Sequence, residues 1–77
     1  MKYTIEDKVF LFGKKCMVIA TQENPYNPTI DPYNRKEVYP DKDHDYLLFI
    51  LEKTENQEEH YLGTISATEA QIEDRRW

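Results

Sequence analysis

Cys16, His44 and His60 are the residues of this 77-residue chain that could support nucleophilic chemistry, a thiol with an imidazole as its base. The surroundings of the thiol argue against that role. Cys16 opens Cys16-Met17-Val18-Ile19-Ala20-Thr21, an apolar and β-branched run in which a free cysteine behaves as a small buried hydrophobe. A reactive thiol needs an exposed, electropositive setting. Asp41-Lys42-Asp43-His44-Asp45 is the second candidate, with carboxylates and an imidazole at alternate positions. An EF-hand would need a longer ligand series, a central glycine and a closing glutamate, and the run has none of them. It reads as a solvated turn, and neither a metal nor a cofactor is expected. Glu55, Glu58 and Glu59 form a third group. They could keep a strand edge from pairing with other chains. They could also join Asp41, Asp43 and Asp45 in one acidic surface that imitates nucleic acid. No constellation with catalytic spacing emerges, so the expectation is a non-enzyme.

The charge balance points the same way. The net charge is −5 and no segment forms a basic stripe, so direct binding to DNA or RNA is not expected. With 39% hydrophobic and 13% aromatic residues the chain can build a core, and its length suits one small domain over 1–77. A single cysteine forms no intramolecular disulfide. The opening Met-Lys-Tyr-Thr-Ile-Glu-Asp holds no apolar run of signal-peptide length, and no stretch is long enough to span a membrane. These features predict a reducing, cytoplasmic setting.

The elements that would position these side chains are strands. Tyr46-Leu47-Leu48-Phe49-Ile50-Leu51-Glu52-Lys53 has strand length and does not alternate, which predicts a strand buried on both faces. Val9-Phe10-Leu11-Phe12 and Cys16–Thr21 read as a hairpin reversing at Gly13-Lys14-Lys15. Val9 and Leu11 share one face and Phe10 and Phe12 the other, and both pairs are apolar enough for the core. His60–Ile65 reads as a fourth strand with Tyr61 and Ile65 on one face, and Gly63 marks a bulge or bend. Ser66 and Glu69 have capping-box spacing and predict a helical turn. Ile72–Trp77 then either continues the helix or forms a fifth strand, with the strand preferred.

Between the hairpins, residues 24–45 hold all four prolines and Tyr26, Tyr33 and Tyr39. Asn24-Pro25-Tyr26-Asn27 recurs as Asp31-Pro32-Tyr33-Asn34, two Asx-Pro turn starters on one long loop. A loop of this length in a small domain tends to be functional.

The order hairpin, long loop, hairpin, helical turn and last strand resembles a small five-stranded SH3-like β-barrel of the SH3, Tudor and KOW kind. Glu6-Asp7-Lys8-Val9 resembles the Gly-Asp-x-Val that opens the first strand of such barrels, with Glu6 in place of the glycine. The resemblance implies a mainly β fold in which loop 24–45 flanks a ligand groove. The KOW glycines are absent, so RNA binding does not carry over. The leading expectation is an interaction module that binds a protein or peptide through Tyr26, Tyr33 and Tyr39. Trp77 either packs over the barrel mouth, the preferred reading, or anchors a partner. A second reading is a small acidic inhibitor of a nucleic-acid enzyme, of the kind phages and mobile elements encode. A third is a small-ligand binder using Lys14-Lys15 and Arg75-Arg76.

Overall fold

Phe12 and Gly13 turn the first hairpin, with φ of 50° and 76°. In the computed structural model, which describes residues 2–28, 33 and 36–77, they join β1 (Lys8–Leu11) to β2 (Lys14–Thr21). A two-residue loop with both residues left-handed is a type I′ turn, whose twist matches that of the strands it joins. The reversal therefore lies one residue before the Gly13-Lys14-Lys15 expected, and both lysines belong to β2. Phe12 is a poor residue for this conformation and is 71% exposed. Phe12→Asn creates the preferred Asn-Gly turn and should raise stability by about 0.5–1 kcal/mol. Thermal unfolding reads this as a rise of a few degrees; a fall would show that the Phe12 ring stabilises the hairpin.

β3 (Tyr46–Lys53) and β4 (Glu59–Ala67) form the second hairpin, and β5 (Ile72–Arg76) follows a 3₁₀ turn at Glu69–Gln71. All pairings are antiparallel, in the order β4-β3-β2-β1-β5. The fold is mainly β, and the fifth strand is present. Ala67 of β4 and Ile72 of β5 reach the same core cluster, so the outer strands lean toward one another. Among the described residues no pairing joins them, and the sheet stays open where closure into a barrel was expected.

Of the three register shifts among the described residues of the sheet, two set which side chains of β2 and β4 face where. On β2, Val18 opposes Leu48 while Ala20 opposes Leu47, so Ile19 is the extra residue. On β4, Thr64 opposes Phe49 while Tyr61 opposes Leu51, so one extra residue lies between them. Gly63, with φ of 79°, supplies the left-handed conformation this bulge needs. The bulge resets the alternation. Ile65 packs on the main core, whereas Tyr61 lies beside Phe49 on the other face. Tyr61 and Ile65 therefore do not share a face, contrary to the period-two reading.

The main core contains Val9, Leu11, Cys16, Val18, Tyr46 and Leu48, with Tyr3 covering one end. Val9 and Leu11 are thus the inward pair; Phe10 is half-buried under the Arg75 guanidinium, 3.9 Å from its ring centre. Leu47 joins Ile19 and Ala20 in a smaller cluster on the opposite face, so the middle of the sheet is buried on both sides as the apolar run predicts. The helical turn is capped two residues later than expected. β4 continues through Ala67, and the Thr68 N–H donates to Gln71 Oε1 at 2.9 Å. Among the described residues no helix is long and apolar enough to cross a membrane.

The segment before β1 ties down β5. Glu6 has φ of 77° at the position where the resembled motif carries glycine. The Asp7 N–H donates to the Thr4 carbonyl and closes that turn. Asp7 Oδ2 accepts the Thr4 N–H at 2.9 Å and Arg76 Nη1 at 2.9 Å. These contacts, the Thr4 N–H foremost, hold the Asp7 carboxyl below its ordinary 3.8. A depressed carboxylate adds stability above that ordinary value, and the addition is lost as pH falls through the lower folded value. Asp7→Asn should therefore destabilise the protein at neutral pH and flatten the acid limb of its stability curve; an unchanged limb below pH 4 would remove Asp7 from that role.

Candidate binding surface

Gln22 fixes the stems of the long loop. Its side-chain amide donates to the carbonyls of Pro40, Asp41 and His44 at 3.1, 3.2 and 2.9 Å. Tyr26 and Val38 exchange both backbone hydrogen bonds, at 2.9 and 2.7 Å, and Pro40 is buried. The described parts of loop 24–45 are thus strapped at the stem. The second turn starter, Asp31-Pro32, and Asn34 lie outside the described residues.

The three tyrosines have different environments. The Tyr26 ring meets Phe49 edge-on at 5.4 Å, and Phe49 lies 5.7 Å from Tyr61, so Tyr26 packs onto the sheet. Tyr39 is 46% exposed and its hydroxyl donates to Glu37 Oε2 at 3.0 Å, a contact that raises its pKa. Tyr33 is 94% exposed. Trp77 is half-buried; its indole N–H donates to the carbonyls of Val9 and Cys16, both at 3.0 Å. Lys8 and Lys15 place their ammonium groups 5.0 and 5.5 Å from its ring centre. Trp77 packs against the β1–β2 hairpin.

A groove of about 330 Å³ runs between the loop and β4, lined by Val38, Tyr39, Asp41, Leu47, Thr64, Ile65 and Ser66. Thr64 opposes Phe49 on one face of β4 and Ile65 opposes Leu48 on the other. Leu47 of β3, opposite Ser66, also lines the groove, so it lies over the sheet face that carries Phe49 and Thr64. Asp41 N–H donates to Ser66 Oγ at 2.8 Å and fixes its width at one end. Val38 is 36% exposed there. It did not stand out in the sequence, although it is a strand-forming residue amid turn formers.

The acidic residues fall into two groups at opposite ends of β4. Asp41 and Asp45 sit at its C-terminal end, where Asp45 Oδ2 accepts the Glu69 N–H at 2.8 Å, and Asp43 adopts φ of 67° in the connecting turn. Glu55, Glu58 and Glu59 lie at the other end. Glu58 meets His60 Nε2 at 3.2 Å and Glu59 meets Lys15 Nζ at 3.6 Å. At the usual strand rise, Glu59 and Ser66 are about 23 Å apart along β4. Among the described residues no three His, Cys, Asp or Glu side chains converge as metal ligands.

Cys16 is 1% exposed, its thiol directed at the Lys14 carbonyl at 3.6 Å, and burial pushes its pKa up. His44 Nδ1 instead meets the Lys42 carbonyl and His60 meets Glu58, so neither imidazole is placed as a base for the thiol. The basic pairs are also engaged. Lys14 meets Glu52, Lys15 Glu59, Arg75 Glu73 and Arg76 Asp7, at 3.3, 3.6, 3.2 and 2.9 Å.

A larger hollow of about 530 Å³ is lined by Tyr3, Thr4, Ile5, Thr21 and Asn24, none of them charged. Tyr3 is 3% exposed and its hydroxyl has no hydrogen-bond partner among the described residues. The Lys2 ammonium lies 5.6 Å from the Tyr3 ring centre. A buried hydroxyl without a partner costs about 1–3 kcal/mol, so Tyr3→Phe should raise stability by roughly 1 kcal/mol in urea unfolding. A loss would show that the hydroxyl is satisfied in solution.

No protein-family model, curated protein or solved structure matches this chain.

Proposed function

We propose that this chain is a single-domain, non-enzymatic interaction module of SH3-like architecture that binds a protein or peptide beside loop 24–45. The observation that carries this reading is the groove that Val38 and Tyr39 form with β4. Both residues are exposed, yet the loop presenting them is strapped by Gln22 and by the Tyr26–Val38 pair. A preordered apolar and aromatic surface loses little entropy on binding. Tyr26 supports this surface from beneath, and Tyr39 takes the contact role that the sequence spread over three tyrosines. The acidic-inhibitor reading has less support, because its six carboxylates divide between the two ends of β4.

Affinity capture from a lysate tests the proposal, run with the wild-type chain and a folded Val38→Ala/Tyr39→Ala variant. The proposal expects a protein retained by the wild type and lost by the variant. A protein retained by both and released by moderate salt would overturn it in favour of the acidic surface.

A further inference from the structure

We infer that the outer edge of β4 takes an extended partner segment carrying basic residues at both ends and uncharged, strand-forming residues between them. This inference rests on the interaction-module reading and names the partner's chemistry.

β4 is an outermost strand of the sheet, so among the described residues its far side has no partner strand and can template another. Natural edges are blunted by charges, yet Tyr61–Ala67 contains none. The bulge at Gly63 twists the edge there and leaves Thr64–Ala67 as its regular part, which is the part beside the groove. A strand added here would lie beside Val38 and Tyr39. Its ends would run toward Asp41 on one side and Glu58 on the other. The Glu59–Ser66 span of about 23 Å along β4 corresponds to roughly seven residues at strand rise.

The same charges argue against a second copy of this chain as the occupant. Two β4 edges related by a two-fold axis run antiparallel, which brings Glu58 and Glu59 of one copy to Asp41 of the other. Like charges so placed oppose pairing, whereas Lys or Arg at both ends of a partner segment would complement them.

The test uses the whole chain and a synthetic peptide, Lys-Arg-Thr-Val-Thr-Ile-Thr-Val-Lys-Arg, followed by backbone amide NMR. Expected shifts are confined to residues 58–67 and 38–41. A peptide with Glu-Asp ends, or with Pro in place of the central Thr, should bind at least tenfold more weakly. Asp41→Asn/Glu58→Gln should weaken the Lys-Arg peptide several-fold while leaving the amide spectrum folded. Equal binding by the Pro peptide, shifts centred on Phe10 and Met17, or no binding would overturn the inference. Concentration-dependent protection of β4 without peptide would also overturn it, in favour of self-pairing. If capture from lysate depends on Val38 and Tyr39 while the peptides leave β4 unmoved, this inference fails and the interaction module stands. Loss of both results removes the two together.

Discussion

Leu48→Ala is expected to remove about 3–5 kcal/mol of stability, most of what a chain of this size possesses. Leu48 is fully buried in β3, opposite Val18 of β2 on one side and Ile65 of β4 on the other. Tyr46 and Cys16 share its cluster, and a strand locked between two neighbours cannot move in to fill the space a lost isobutyl group leaves. The larger cost therefore applies, because transfer and cavity terms add where the site cannot collapse. Urea unfolding should show the midpoint falling sharply with the slope unchanged. Leu62→Ala, on the exposed part of β4, should stay within about 0.5 kcal/mol. A loss below 1 kcal/mol at Leu48 would mean that the core does not lie where β2, β3 and β4 place it.

Trp77→Ala should cost about 2–3 kcal/mol, the second largest effect expected, less than for a fully buried Trp because the side chain is half-exposed. Val9 and Cys16 are directly opposed in the β1–β2 pair, and the indole N–H is shared between their carbonyls. The ring also covers the hairpin and carries the ammonium groups of Lys8 and Lys15, a contact worth roughly 0.5–1 kcal/mol each at exposed sites. Trp77→Phe keeps a ring there and loses the N–H, so it should cost about 1 kcal/mol. Far-UV circular dichroism separates the two variants without relying on the indole as probe. Equal, small losses for both would show that Trp77 does not fasten β5 to the hairpin.

The strands were legible because their signals are local. The unbroken run Tyr46–Leu51 has few outlets besides a strand covered on both sides, and Leu47 and Leu48 do enter clusters on opposite faces. The turn at Phe12 was displaced because turn chemistry singles out glycine, and a phenylalanine at positive φ contradicts its own propensity. Tyr61 went to the wrong face because counting by twos cannot register the residue that Gly63 inserts. The cap moved from Ser66 to Thr68 because Ser66 Oγ is held by the loop through the Asp41 N–H, a contact between residues 25 positions apart. The candidate surface was half legible: composition pointed to the loop, and Tyr39 lies on the groove. Val38 and the β4 edge became visible only when pairing showed which strand was outermost. Six acidic residues could be read as one surface because sequence gives their number and not the strand length between them.

Cys16, sealed in the core as the chain's only thiol, makes the molecule its own stopwatch. An alkylating reagent reaches the sulfur only in molecules that have opened, since burial both covers the thiol and disfavours its thiolate. Where reclosing outpaces alkylation, the labelling rate is proportional to the open fraction, and each gain of about 1.4 kcal/mol slows it tenfold. Phe12→Asn and Leu48→Ala would then shift one rate in opposite directions, read by mass alone and with no denaturant.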